Sequence, residues 1–142
     1  MEKRSVVVTG LGVVSPVGHG VQAFWDAIAG GRSGIDRVTH FDPDEFRSQL
    51  AGEVKDFEPT DWIAPKAAKR MDRFTQFAVA AANMALADAD LEAGSFDGDR
   101  AGTIIGSGIG GSKTIEDGYQ VLKDIGPKKL NPFFVSRLLV NM

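Results

Sequence analysis

The sequence predicts an α/β fold, in which helices cover a mostly parallel sheet in layers. Strand and helix patterns alternate along the chain as β-α-β-α-β-α, the order typical of such folds. The segment Ser5–Thr9 is a run rich in β-branched residues, as in strands covered on both faces, and Ala101–Ile105 is a second strand candidate. The chain has 142 residues, of which 43% are hydrophobic, and this length suits one domain with a real core.

The first half of the chain shows these elements in order. Glycines after the first strand predict a loop. Apolar spacing then predicts a helix over Val21–Ala29, which a glycine pair ends. The segment Ala51–Phe57 is a short strand candidate. The clearest pattern is a helix over Pro65–Ala89, because proline suits a first helical position and one apolar stripe runs through the segment. Many residues of that stripe are alanine, so we expect a neighbouring segment to approach closely.

The last part of the chain alternates turns and helices. A glycine-rich turn, Gly106–Gly111, precedes a predicted helix that Ser112 can cap and that runs to about Leu122. The segment Pro132–Met142 is apolar and ends without a glycine, proline or polar tail. We therefore expect the chain, residues 1–142, to be an incomplete piece that stops inside a helix.

Composition excludes several classes of function. The net charge of −3 gives no basic footprint for nucleic acid. The absence of cysteine excludes a cysteine nucleophile or thiolate site in this chain, and two histidines are too few for a histidine-rich metal cluster. No apolar run approaches the roughly 18 residues of a membrane span. A short signal peptide is disfavoured because Gly10 and Gly12 break the first apolar run, so we expect a cytoplasmic protein. We also expect the protein to use neither a metal nor a cofactor.

The turn Gly106–Gly111 has two interpretations. It matches the G-x-G-x-x-G pattern of dinucleotide-binding domains, in which a strand and a helix flank a phosphate cradle. The following region contains Gly126 and Pro127 where that unit should have its next strand. We therefore rank a structural role, a sharp turn that packs closely, above a dinucleotide site.

A group of cations near the start of the predicted long helix is the second motif. These residues share one helical face and comprise Lys66, Lys69, Arg70 and Arg73. A solvated helix face is the usual explanation. Positive charge in the first turns, however, opposes the helix dipole by about 0.3–1 kcal/mol for each exposed group, which suggests an acidic partner. Lys128 and Lys129 form a second, smaller basic spot.

Several stretches together resemble one protein family. They are 6–18 (VVVTGLGVVSPVG), 32–35 (RSGI), 41–42 (FD), 69–72 (KRMD), 105–111 (IGSGIGG), 131–135 (NPFFV) and 140–142 (VNM). Their order and sequence are similar to those of β-ketoacyl-acyl carrier protein synthases, and most of all to the elongating type, synthase II.

The resemblance implies a thiolase-like layered α/β fold, of which this chain would form most of the first half. It also implies a cytoplasmic homodimer that elongates fatty acids by decarboxylative Claisen condensation, with acyl- and malonyl-loaded acyl carrier protein as partners. The family uses a cysteine and two histidines. His19 and His40 do not match those histidines, so we assign no catalytic residue to this chain and expect it to be inactive alone.

The resemblance also assigns binding residues. For the carrier protein it implies Lys66, Lys69, Arg70, Lys128 and Lys129. For the acyl pocket it implies Gly108, Ile109 and Phe134, and for the dimer interface Phe133 and Phe134. Two alternatives remain beside this hypothesis: a dinucleotide-binding domain and a non-catalytic module that docks the carrier protein or forms a dimer.

Overall fold

The computed structural model describes residues 5–92 and 94–140. The chain divides into two compact units, Met1–Glu58 with Ala81–Ser95, and Pro59–Ala80 with Phe96–Met142. The boundary between them falls inside the longest helix, so each unit contains one part of that helix.

The first unit contains two short hairpins and a helix. Strands β1 (Val14–Ser15) and β2 (Gly18–His19) pair antiparallel, and so do β3 (Asp36–Arg37) and β4 (Leu50–Ala51). Helix α1 spans Val21–Ala29, as the sequence predicts, and buries Ala27. The predicted strand Ala51–Phe57 is wrong in extent, because only its first residue is paired.

Small residues bring the N-terminal loop of this unit directly against the last turns of the longest helix. A Cβ atom at Gly12 would collide with the carbonyl oxygen of Ala81, and one at Gly10 with that of Ala85. The backbone N–H of Leu11 donates to the carboxylate of Asp88 at 2.9 Å. The close approach expected from the alanine stripe is therefore confirmed.

The second unit is built from short helices. After a 3-10 turn at Pro59–Asp61, helix α2 spans Pro65–Ala68 and α3 spans Arg73–Asp88, of which this unit contains the part up to Ala80. A 3-10 turn at Gly98–Arg100 precedes α4 (Ser112–Asp124), a 3-10 turn at Pro127–Lys129 follows, and α5 spans Phe134–Leu138. The predicted helix is confirmed and runs two residues beyond the expected end, but the predicted cap is wrong, because Gly111 is the N-cap and Ser112 is the first helical residue.

The single helix predicted over Pro65–Ala89 is wrong, because the chain leaves helical geometry between α2 and α3. The carboxylate of Asp72 accepts the backbone N–H of Arg73 at 2.5 Å and so begins α3. Aspartate in this position competes with helix continuation, since its side chain satisfies a backbone donor that would otherwise need a carbonyl of the previous turn.

The predicted strands Ser5–Thr9 and Ala101–Ile105 form no ladder within the described ranges. Val6 is 96% exposed, and Ile104 is fully exposed. The strands that do form are the two antiparallel pairs, so the mostly parallel sheet is absent from the described residues. A β-branched run favours extended backbone, but a strand also needs a hydrogen-bonding neighbour, which local sequence does not supply.

The helix predicted over Pro132–Met142 is shorter in the structure. Helix α5 ends at Leu138, and Leu139 has extended backbone. The last two residues of the predicted segment lie outside the described part of the chain.

Candidate functional site

The first cationic group lies where α2 passes into α3, and we name Lys66, Lys69 and Arg70 the basic corner. Lys66 belongs to α2, Lys69 is its C-terminal cap, and Arg70 lies in the turn that follows. All three side chains are exposed. Within residues 5–92 and 94–140, none of them has a carboxylate within ion-pair distance.

The break between the two helices changes how the dipole acts on the basic corner. Lys69 and Arg70 do not lie inside one long helix, but they directly precede the N-terminus of α3, a helix of 16 residues. The positive end of that helix therefore still opposes them.

Asp72, the only acidic residue between Pro65 and Arg73, is turned inward. It is 6% exposed, and its carboxylate accepts the hydroxyl of Thr114, which is also buried, as well as the Arg73 N–H. Since its oxygens are used at the beginnings of α3 and α4, Asp72 forms no ion pair with the basic corner. The corner therefore keeps three exposed cations that are not paired in the described chain.

An aromatic contact joins the basic corner to the segment that follows the second basic spot, Lys128 and Lys129. The Cζ atom of Arg70 lies 4.8 Å from the ring centroid of Phe133, in a cation–π arrangement. Phe133 follows the 3-10 turn that contains Lys128 and Lys129, both exposed. The structure thus brings the predicted carrier-binding segments into one unit, and it shows a contact that sequence spacing does not reveal, because its partners are far apart along the chain.

Three backbone donors where the glycine turn meets α4 are used within the chain. The N–H of Gly110 donates to Ser107 Oγ at 3.1 Å, and the N–H of Gly111 donates to the carbonyl of Leu138 at 3.1 Å. The N–H of Ser112 donates to the Gly110 carbonyl at 3.0 Å. A phosphate cradle needs these groups unpaired, so the geometry does not favour the dinucleotide alternative and supports the structural role.

Gly110 and Gly111 also explain why glycine is needed in this turn. Gly110 has φ +78°, a conformation that glycine adopts without strain. A Cβ at Gly111 would lie 2.7 Å from the carbonyl oxygen of Arg137. The turn therefore contacts the backbone of α5 directly. Gly108 has open space around it, and Ile109 is 79% exposed.

Phe134, at the start of α5, lies against α4. A Cβ atom at Gly118 would collide with the Phe134 ring, so this buried glycine provides the space that the ring occupies. Helix α4 and the segment 129–137 enclose a cavity of about 150 Å³. It is lined by Thr114, Asp117, Gly118, Val121, Lys129, Leu130, Asn131, Phe134 and Arg137.

Ion pairs in the described chain lie outside the basic corner. On α4, a hydrogen bond to Asp117 at 2.9 Å raises the pKa of Lys113. In the first unit, the backbone N–H and hydroxyl of Thr39 donate to the buried carboxylate of Glu53 and lower its pKa.

Neither a metal centre nor a membrane span is found in residues 5–92 and 94–140. No group of three histidine, aspartate or glutamate side chains there could hold a metal ion. The same residues contain no helix that is long and apolar enough to cross a bilayer.

Comparison with known proteins identifies the family. The model of a family described as "Beta-ketoacyl synthase, N-terminal domain" matches residues 3–142. The chain belongs to the β-ketoacyl synthase family. The resemblance found in the sequence motifs is therefore confirmed.

Individual β-ketoacyl synthases agree with this assignment. The 3-oxoacyl-[acyl-carrier-protein] synthase 2 of Vibrio harveyi is 47% identical over 100% of this chain, and that of a Synechocystis species is 44% identical over the same share. The chain spans 34% of the length of each relative.

A solved structure confirms the fold class. The ishigamide ketosynthase/chain length factor matches 94% of this chain with a TM-score of 0.75 and 35% identity, and the match covers 33% of that protein. The backbone of this β-ketoacyl synthase chain thus follows the thiolase-like α/β fold, although its two extended β-branched segments are unpaired in the described residues.

Proposed function

We propose that this chain forms the N-terminal half-domain, incomplete at its C-terminal end, of an enzyme that elongates fatty acyl chains on acyl carrier protein. In the reaction, malonyl carrier protein loses CO₂, and the resulting carbanion attacks the carbonyl carbon of an acyl thioester on the enzyme. A carbon–carbon bond forms and the enzyme thiolate leaves. The chain supplies binding surfaces, and none of its residues is assigned to the chemical steps.

The observation that carries this proposal is the basic corner. Its three cations are exposed and have no carboxylate within ion-pair distance in the described chain. Lys69 and Arg70 precede the N-terminus of α3, where its dipole opposes them, and the nearby Asp72 is buried and used elsewhere. An acidic carrier protein supplies the missing negative charge. Complementary charge of this kind on two proteins also speeds their association.

The contact of Arg70 with Phe133 favours the same function. A guanidinium held over an aromatic ring loses less side-chain freedom when a carboxylate binds to its outer edge. Lys128 and Lys129 extend the positive surface along the segment that precedes Phe133. The carrier-binding residues of the proposal are therefore the basic corner together with these two lysines.

The acyl pocket and the subunit interface belong to the same proposal. Ile109 is an aliphatic side chain that is 79% exposed in this chain, and it directly precedes Gly110 and Gly111, which contact α5. We assign Gly108, Ile109 and Phe134 to the wall that limits the acyl chain. Phe133 and Phe134 are assigned to the interface of a cytoplasmic homodimer.

Charge reversal at the basic corner tests the proposal. In the purified enzyme, Lys69→Glu with Arg70→Glu is expected to raise KM for carrier-borne substrate at least tenfold, while kcat/KM for a small thioester without the carrier changes less than twofold. The matched control is Lys123→Glu, an exposed lysine at the other end of α4, which is expected to leave both values unchanged. Equal losses on both substrates contradict a docking role.

A further inference from the structure

The cavity between α4 and the segment 129–137 contains one cation, Arg137, that the proposed function does not use. Arg137 lines it, and the Nε–H of this side chain is buried without an acceptor. Arg137 also has no ion pair in the described residues. A buried donor without a partner destabilises the protein, so the site gains from any ligand that accepts it.

A second cation and an amide lie on the same cavity wall. Lys129 is exposed and, within residues 5–92 and 94–140, unpaired. Asn131 uses its Oδ1 atom to accept the N–H of Phe133 at 2.8 Å, which leaves its NH₂ group as a donor. The one carboxylate of the lining, that of Asp117, is engaged by Lys113 at 2.9 Å.

Apart from Thr114, whose hydroxyl donates to Asp72, the rest of the lining is apolar. Val121 and Leu130 are half-buried, and the ring of Phe134 lies against Gly118. A volume of about 150 Å³ suits a ligand of only a few heavy atoms. The cavity thus combines donors at one side with a short apolar surface.

We propose that this cavity binds a small organic carboxylate. A rotation of the Arg137 guanidinium presents its Nε–H and one Nη–H to the two oxygens in the paired geometry that guanidinium favours. Lys129 and the Asn131 amide donate to the remaining lone pairs, and a chain of two or three carbons contacts Val121 and Leu130. The proposal concerns binding only and does not depend on carrier docking.

Calorimetric titration of the purified protein with sodium butyrate, at constant ionic strength, tests this site. Saturable binding is expected, with an affinity that Arg137→Gln lowers about tenfold or more, the effect of one charge-assisted hydrogen-bonded pair. Butyramide, which has the same shape without the charge, is expected not to bind. Lys123→Gln, a change on α4 outside the cavity lining, is expected to leave butyrate affinity unchanged.

A second variant separates loss of the site from loss of the fold. Val121→Phe fills the apolar side and retains every cation, so it is expected to abolish butyrate binding while the circular dichroism spectrum is unchanged. Equal binding of butyrate and butyramide, or unchanged affinity in Arg137→Gln, overturns the proposal. Inorganic phosphate that binds as tightly as butyrate also overturns it, because recognition then rests on charge alone and not on a carboxylate with an apolar chain.

Discussion

Replacement of Thr114 by valine tests the buried link between the α2–α3 corner and α4. The Thr114 hydroxyl donates to the carboxylate of Asp72, and the two residues are 7% and 6% exposed. Valine has nearly the same shape but no hydroxyl. Thr114→Val therefore removes one hydrogen bond to a buried carboxylate and creates almost no cavity.

The expected cost follows from the state of the carboxylate after the change. Hydrogen bonds to charged groups contribute about 1.5–3 kcal/mol, and water cannot readily replace a donor at a buried site. We therefore expect the free energy of unfolding to fall by about 2 kcal/mol. For a chain of 142 residues, this corresponds to a decrease in Tm of about 5–10 °C.

Urea unfolding followed by circular dichroism measures this change in the purified protein. Thr114→Ser retains the hydroxyl and is expected to recover most of the lost stability. A double-mutant cycle with Asp72→Asn isolates the pair, for which we expect a coupling energy of about 1–2 kcal/mol. If Thr114→Val unfolds within about 0.5 kcal/mol of the original protein, or the coupling energy is zero, the link does not stabilise this corner.

Three further predictions concern other parts of the chain. Gly111→Ala is expected to destabilise the protein by about 1–3 kcal/mol, because its Cβ would lie 2.7 Å from a carbonyl oxygen of α5. Gly106 has open space around it, so Gly106→Ala is expected to be neutral or slightly stabilising. Equal midpoints of urea unfolding for the two variants contradict this. The hydrogen bonds from Thr39 hold the pKa of Glu53 below its ordinary value of 4.5, so their stabilising effect is complete above that pH and is lost as the pH falls through the lower folded value. Glu53→Gln should therefore reduce the fall in Tm between pH 6 and pH 3. If Tm depends on pH equally steeply in the variant and in the original protein, the Thr39–Glu53 hydrogen bonds do not have this stabilising effect. Under the proposed function, Ile109→Phe should shorten the acyl chains accepted, and an unaltered product profile places this residue outside the pocket.

Local features of the fold were predictable because their causes lie within a few residues. Apolar spacing and a following glycine pair define α1 over Val21–Ala29, and both signals act within one or two turns. The position of α4 was predictable to within two residues at its C-terminal end, although Gly111 and not Ser112 is its N-cap. The motifs that carry the family resemblance are also contiguous stretches, so the family was identifiable from the sequence.

Features that depend on distant partners were not predictable. The apolar stripe of Pro65–Ala89 continues through the break between α2 and α3, so the spacing alone does not reveal it. The runs Ser5–Thr9 and Ala101–Ile105 have strand propensity, but pairing needs a neighbouring strand. In the candidate site, the positions of the cations were evident, whereas the contact between Arg70 and Phe133 was not.

The sequence by itself determined the family, the net charge, the lack of a cysteine nucleophile in this chain and the clustering of cations near residue 70. Only the tertiary structure decided that Asp72 turns inward and leaves those cations unpaired in the described residues, and that the donors of the glycine turn are used by its own chain. The reason is physical. Composition and periodicity act along the chain, while the availability of a charge or a hydrogen-bond donor depends on which distant group lies within about 3 Å of it.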